Sequence, residues 1–258
     1  MSEHVSVMVN EVLEALKPWN SVDVVVDATL GLGGHSGNIL VNCPSAKIIG
    51  FDQDPFAREI ASQNLATFQG RVEIVADNFR HIGKLTDREG WGGASAVLFD
   101  LGVSNLQLTS AERGFSFQND GPLDMRMDGE EECNSSLTAE EILAEWSIKD
   151  LTHIFRDYGE DANAYQIAKG IVRHRENGGY VKTTGELVEL IRYILPAPVQ
   201  RKMGGHPARK IFQALRIAVN DEINALNEAL DGAVKVLAPG GKIIVISYHS
   251  LEDRMVKH

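Results

Sequence analysis

The sequence predicts an α/β fold: a parallel sheet built from repeated βα units and interrupted by an inserted helical subdomain. Two observations lead there. Four short apolar runs rich in β-branched residues each end in an aspartate, and Asp27, Asp52, Asp77 and Asp100 are 25, 25 and 23 residues apart. That interval holds a strand, a loop, a helix and a second loop. About a hundred residues then separate Asp100 from a helical pattern starting at 207, far more than one βα connection uses.

The runs are Val22-Asp-Val-Val-Val-Asp27, Ala46-Lys-Ile-Ile-Gly-Phe-Asp52, Arg71-Val-Glu-Ile-Val-Ala-Asp77 and Ala94-Ser-Ala-Val-Leu-Phe-Asp100. Residues 60–68 and 79–85 between them read as helical. In open parallel sheets, ligands sit outside the carboxyl ends of the strands, where all four acids fall. A single acid there is as readily a turn or cap residue; four in succession point to a site. After Asp27 comes Ala-Thr-Leu-Gly31-Leu-Gly33-Gly34-His35-Ser36. The glycines allow a tight turn and close backbone approach to a ligand before a helix opens near His35. The match to a dinucleotide fingerprint is partial, because Ser36 stands where a third glycine would be. Asp52 lies 21 residues after Gly31, the spacing at which an acid accepts hydrogen bonds from two ribose hydroxyls. Together these features predict an adenosine-type cofactor and leave open whether it is a nicotinamide dinucleotide or S-adenosylmethionine.

Near the other end, Val236-Leu-Ala-Pro-Gly-Gly-Lys-Ile-Ile-Val-Ile-Ser247 reads as a helix end, a turn and another buried strand. Leu-x-Pro-Gly-Gly before such a run is similar to the turn into a late strand of class I methyltransferases, which favours S-adenosylmethionine. A P-loop lysine and the His-x-Glu with Pro-Cys-x-x-Cys of zinc deaminases are both missing. The eight histidines are scattered, so no metal site is expected.

The insert reads helical over 138–146, 148–156, 162–175 and 184–195, with Thr138-Ala-Glu-Glu141 a capping-box pattern. Loops are expected at 128–136, 176–180 and 196–207. The predicted division is a cofactor-binding domain of residues 1–104 and 207–258 and an inserted helical substrate-recognition subdomain of 105–206. One long helix, opened by Pro207 in its first turn, is expected to carry the apolar stripe Ile211, Leu215, Val219, Ile223, Leu226 and Leu230. Arg209, Gln213, Arg216 and Asn220 form a polar stripe beside it, either a solvated face or a grip on phosphates and bases.

Composition bounds the function less tightly. The 258 residues carry a net charge of −11, which argues against a general polyanion binder. Residues 201–216 nevertheless hold Arg201, Lys202, Arg209, Lys210 and Arg216 with no acid among them, a local patch suited to selective RNA binding. Two distant cysteines, Cys43 and Cys133, suit a reducing compartment. With no signal-like start and no apolar run of spanning length, cytoplasm without membrane contact is expected.

Several segments go further. His4-Val-Ser-Val-Met-Val-x-Glu11, Asp27-Ala-Thr-Leu-Gly-Leu-Gly-Gly-His35, Phe51-Asp-Gln-Asp-Pro55 and Asp100-Leu-Gly-Val-Ser104 resemble one family closely. So do Glu112-Arg-Gly-Phe-Ser-Phe117, Asp120-Gly-Pro-Leu-Asp-Met-Arg-Met-Asp128, Tyr158-Gly-Glu160, His206-Pro-Ala-Arg-Lys-Ile-Phe-Gln-Ala-Leu-Arg-Ile217 and Ser247-Tyr-His-Ser-Leu-Glu-Asp-Arg254. The family is the small-subunit (16S) ribosomal RNA cytosine-N4 methyltransferases. The resemblance implies a class I (Rossmann-like) methyltransferase sheet, S-adenosyl-L-methionine as cofactor, and 16S ribosomal RNA within the small subunit as partner. It implies a cofactor site of Gly33, Gly34, His35, Asp52, Phe79, Asp100 and Gln107, of which Phe79 and Gln107 come from the family alone. This chain has Ser104-Asn-Leu-Gln107 where the family usually has Ser-Ser-Pro-Gln. Family members continue past the last segment with a basic tail; this sequence ends at His258.

Asp100 is the expected catalytic residue, a hydrogen-bond acceptor for the substrate amine, with His249 and Glu252 as further pocket candidates. Arg113 and Arg126 are expected to join the 201–216 segment on RNA phosphates. The rivals are a methyltransferase of another RNA or of DNA, and a non-catalytic assembly factor that senses the cofactor. Enzymes that methylate exocyclic amines of DNA carry an Asp/Asn/Ser-Pro-Pro-aromatic motif after the fourth strand. Asp100-Leu-Gly-Val lacks it, which disfavours the DNA option. Oligomeric state is left open, a homodimer being one option.

Overall fold

The computed structural model describes residues 6–128 and 137–257. His4 and Val5, Cys133 with most of the 128–136 loop, and His258 lie outside them. In chain order the helices and strands are α1 Val9–Ala15, β1 Val24–Asp27, α2 Gly34–Asn42, β2 Lys47–Phe51, α3 Pro55–Asn64, β3 Val72–Val75, β4 Ala94–Asp100 and α4 Asn105–Thr109. Then come α5 Ala139–Glu145, α6 Ile148–Asp157, α7 Ala164–Glu176, α8 Thr184–Ile194, α9 Ala197–Lys202, α10 Arg209–Asn220, α11 Glu222–Val236, β5 Leu237–Ile246 and α12 Ser250–Lys257. The chain forms two compact units: 1–102 with 223–258, and 103–222.

The first unit is a parallel sheet, five-stranded among the described residues, in the order β3-β2-β1-β4-β5. Strand order reverses between β1 and β4, the switch point where such sheets bind ligands. The fold class read from the sequence is the one the chain adopts. Side chains alternate between faces. Val25, Ile48, Ala96 and Leu98 pack with Val12, Ile39, Leu40 and Ala61 of α1, α2 and α3. Val26, Ile49, Val97 and Phe99 pack with Ile82, Leu85 and the α11 residues Leu226, Ala229 and Ala233. Both faces are therefore covered, as parallel sheets require. The same alternation places Asp27, two after Val25, and Asp100, two after Leu98, on the α2 side.

Local chemistry sets the boundaries. The expected helix at 60–68 begins earlier, at Pro55, because Asp54 Oδ1 accepts from the Phe56 N–H and proline suits a first turn. The stretch at 79–85 is a 3₁₀ helix, Phe79–Asp87, capped by Asn78. β5 starts at Leu237 and so takes in the Pro-Gly-Gly segment expected to be a turn. Ala94 pairs with Leu237 but Ala96 with Lys242, so the Pro-Gly-Gly segment bulges out of the ladder and is not a separate turn.

The second unit is helical. The capping box at Thr138 and Glu141 is present, and a second one forms from Thr183 and Glu186. α9 lies within 196–207, where a loop was expected. The expected long helix is two helices. Asp221 takes a left-handed conformation (φ 51°) between α10 and α11, one that aspartate tolerates better than most residues. The stripe accordingly feeds two cores: Ile211, Leu215 and Val219 belong to the second unit and Leu226 to the first. Residues 207–222 thus fall in the second unit and not, as expected, with the sheet. Pro207 precedes the helix, which opens at Arg209.

The polar stripe of α10 is mostly internal. Gln213 donates to the Tyr158 carbonyl, and Arg216 makes a bidentate pair with Glu222 at 2.8 Å. Asn220 accepts from the Met127 N–H and donates to the Met125 and Arg216 carbonyls. Arg113 donates to the carbonyls of Arg126 and Met127, and Arg126 pairs bidentately with Asp124. Asn220 holds the Met125–Met127 backbone on α10, and the internal bonds of Arg113, Arg126 and Arg216 correct the expectation that they serve RNA phosphates. Arg201, Lys202 and Arg209 are exposed. Asn220→Ala would strip partners from buried backbone groups at Met125 and Met127, each costing roughly 1–3 kcal/mol. The urea midpoint should therefore fall clearly; an unchanged midpoint would mean the segment is held elsewhere.

Candidate active site

The site starts from a buried carboxylate. Asp27, at the end of β1, is 1% exposed, a position that costs several kcal/mol unless hydrogen bonds compensate. They do: Ser36 Oγ donates to Asp27 Oδ2 at 2.6 Å and the Thr29 N–H to Oδ1 at 3.3 Å. Burial pushes the Asp27 carboxyl above the usual carboxylate range, and those two bonds pull it partly back. The serine that replaces a third fingerprint glycine is fully buried and ties the first turn of α2 to the end of β1.

The loop before α2 depends on glycine. Gly33 caps the helix at φ 81°, and a Cβ there would meet Leu65 Cδ1 at 2.9 Å, so position 33 admits no side chain without strain. Gly31 donates its N–H to Asp52 Oδ2 at 2.8 Å, and the Asp54 N–H donates to Oδ1 at 2.8 Å. Each Asp52 oxygen retains acceptor capacity. Burial raises the Asp52 carboxyl to about 6, against the pull of those two N–H groups.

Asp100 ends β4. Its N–H donates to Thr29 Oγ1 at 2.6 Å, which ties it to the loop after β1. His35 Nε2, on a histidine 7% exposed, lies 3.4 Å from Asp100 Oδ2 and makes no hydrogen bond among the described residues. On the other oxygen, Oδ1, the Tyr248 hydroxyl donates at 2.8 Å. Burial, then the bond to Asp100, push that hydroxyl to about 12, so it stays a donor at working pH.

Gly33, Gly34, His35, Asp52 and Asp100 are thereby linked through one loop system. Phe79 sits just past β3, its ring edge-on to Phe99 at 6.0 Å. Gln107 belongs to the second unit, where it forms a capping box with Ser104; the Asn-Leu departure leaves that cap intact. Asp77 is a local turn carboxylate, accepting from Asn78 and 2.7 Å from His81 Nδ1. His249 and Glu252 turn on each other. Glu252, 4% exposed, accepts from the Tyr248 and His249 N–H groups and lies 3.1 Å from His249 Nε2. They shape the loop after β5, where the sequence reading had placed them as pocket lining. That reading missed Thr29, Ser36 and Tyr248; Ser36 alone left a signal, as the irregularity in the glycine pattern.

A parallel sheet with a glycine loop, a ribose-spaced acid and a second carboxylate at its switch point defines a nucleoside-cofactor-binding α/β protein. The MraW methylase family model matches residues 1–258, and the chain belongs to that family. It is 46% identical over 257 residues to a protein of Symbiobacterium thermophilum named ribosomal RNA small subunit methyltransferase H, covering 98% of this chain and 78% of that one. A protein of the same name from Heliobacterium modesticaldum is 49% identical, covering 98% and 80%. Among solved structures, an rRNA methylase from Streptococcus thermophilus matches 46% of this chain and 70% of that one at 20% identity, with a TM-score of 0.31, too low to bear on function.

Proposed function

We propose that this chain transfers a methyl group from S-adenosylmethionine to the exocyclic N4 of a specific cytosine in small-subunit (16S) ribosomal RNA, acting in the cytoplasm on the small subunit. The observation that carries the proposal is the Asp100 carboxylate, an acceptor at the switch point, beside the glycine loop and held by Thr29. Membership of a methylase family and relatives named for ribosomal RNA methylation support the substrate class.

The residues present fit the cofactor. Asp52 keeps acceptor capacity for the two ribose hydroxyls. Gly33 turns the backbone at the α2 N-terminus through φ 81°, and His35 offers a buried Nε2 that makes no hydrogen bond among the described residues. Gly33, Gly34, His35 and Asp52 would hold it, with Phe79 and Asp100 as further contacts. When bound, S-adenosylmethionine supplies an electrophilic methyl group on a sulfonium. The N4 lone pair of cytosine is delocalised into the ring, so the amine is a poor nucleophile. Asp100 accepts a hydrogen bond from an N4 proton, orients the amine, offsets the positive charge that develops on N4 as it gains the methyl, and takes the proton that this charge makes acidic. The base must leave its stack to reach Asp100. Arg201, Lys202 and Arg209, all exposed, are the cations assigned in this proposal to RNA phosphates.

Methyl label from the cofactor should appear on N4 of one cytosine when unmodified small subunits are supplied. Label on another atom or only on DNA would overturn the assignment. At saturating cofactor, Asp100→Asn should slow single-turnover methylation by about a hundredfold; a parental rate would remove Asp100 from the chemistry.

Ribose hydroxyls donate to Asp52 only when it can accept, so the complex favours its ionised form. Below about pH 6 the free protein binds a proton there, and cofactor affinity should fall by up to about tenfold per pH unit. Above that pH affinity should be flat. Calorimetry on Asp52→Asn should give weaker binding with the slope lost; an unchanged slope would assign it to another group.

Affinity for RNA should fall with rising salt. Neutralising Arg201, Lys202 and Arg209 together should reduce the log–log slope by about 2–3. An unaltered slope would make these three a solvated face.

A further inference from the structure

The segment after β4 carries no aromatic residue, Asp100 being followed by Leu101, Gly102 and Val103. An extruded base nevertheless needs a flat surface, since stacking provides much of the energy that replaces its lost neighbours. The structure provides one from the adjacent strand. Ile244 and Ile246 of β5 pack on the α2 side of the sheet, and the alternation carried two residues on gives Tyr248 that same side, where Asp100 lies.

Tyr248 is fixed at both ends. Its hydroxyl is bonded to Asp100 Oδ1, and its N–H donates to the buried Glu252 carboxylate at 2.8 Å. Gly102, at φ 100°, brings no side chain against the ring; a Cβ there would stand 3.5 Å from Tyr248 Cδ2. Yet Tyr248 is 55% exposed. A side chain held in this way has already lost much of its rotamer freedom, and with its one O–H proton committed it offers a partner chiefly the face of its ring.

We propose that Tyr248 is the base-stacking residue of the methyl-acceptor site: its ring receives the extruded base while its hydroxyl holds the Asp100 carboxylate toward the exocyclic amine. The assignment rests on the base-methylation reading. It supplies from the end of β5 the aromatic that DNA amine methyltransferases carry after their fourth strand.

The test compares Tyr248→Phe, Tyr248→Trp and Tyr248→Leu in the full chain, with calorimetry of S-adenosylmethionine binding as the control for folding. The substrate is whichever nucleic acid the parent methylates, small subunits first and then other RNA and DNA. A parent that ignores small subunits thus refutes the substrate reading alone, and the variants still decide Tyr248. Leucine should raise KM for the nucleic acid by about ten- to a hundredfold, while phenylalanine and tryptophan, which keep a flat face, stay within a few-fold of the parent. Phenylalanine should lower kcat by about tenfold through the lost Asp100 contact. Cofactor affinity should be unchanged throughout. A leucine variant with the KM of the phenylalanine variant would overturn the proposal.

Discussion

The site depends on the burial of Asp27. A carboxylate without water must be bonded by its own chain, and here the partners come from the two segments that build the cofactor loop, Thr29 and Ser36. Because Ser36 lies in the first turn of α2, satisfying Asp27 fixes where that helix begins and how its N-terminus faces the sheet. Thr29, oriented by the same turn, receives the Asp100 N–H. One desolvated acid therefore ties together the ends of β1 and β4 and the helix between β1 and β2. Breaking such a cluster by removing one member costs more than any pairwise bond, because the remaining groups stay buried.

Much of this was legible because strand ends announce themselves. Val-Val-Val-Asp and Val-Leu-Phe-Asp pair β-branched or aromatic runs with an acid, and parallel topology then places those acids on one edge. The spacing between Gly31 and Asp52 carried the ribose reading for the same reason: a βαβ unit has a nearly fixed length. What the pattern could not reveal was rank. Asp27, Asp52, Asp77 and Asp100 look alike in sequence, yet one is a buried anchor, one an open acceptor, one a local turn residue and one faces the proposed substrate. Those differences come from which side chains and N–H groups turn toward each acid on folding: near ones for Asp27 and Asp77, and for Asp100 Thr29 and Tyr248, 71 and 148 residues away.

The helix at 207–230 failed as a reading for a related reason. Residues spaced three and four apart stay in phase across Asp221, so an apolar stripe feeding two separate cores is indistinguishable from one feeding a single core. The polar stripe beside it had no partner visible in sequence, because Glu222, Tyr158 and the Met125–Met127 backbone meet it only after folding. Tyr248 was hidden likewise. Its link to Asp100 spans 148 residues, and its exposure carries no composition signal.

The bulge at the start of β5 has a consequence for how this chain tolerates change. Between the Ala94–Leu237 and Ala96–Lys242 pairs, one strand advances two residues and the other five, leaving the surplus looped out of the ladder. From Lys242 onward, pairing runs without interruption to Asp100 opposite Ile246. Ala238 and Gly241 lie close against Gly93 and Ala94, so the slack is the exposed tip, Pro239 and Gly240. A residue inserted there would be absorbed before the ladder resumes, and the alignment of Asp100 with the end of β5 would be inherited unchanged.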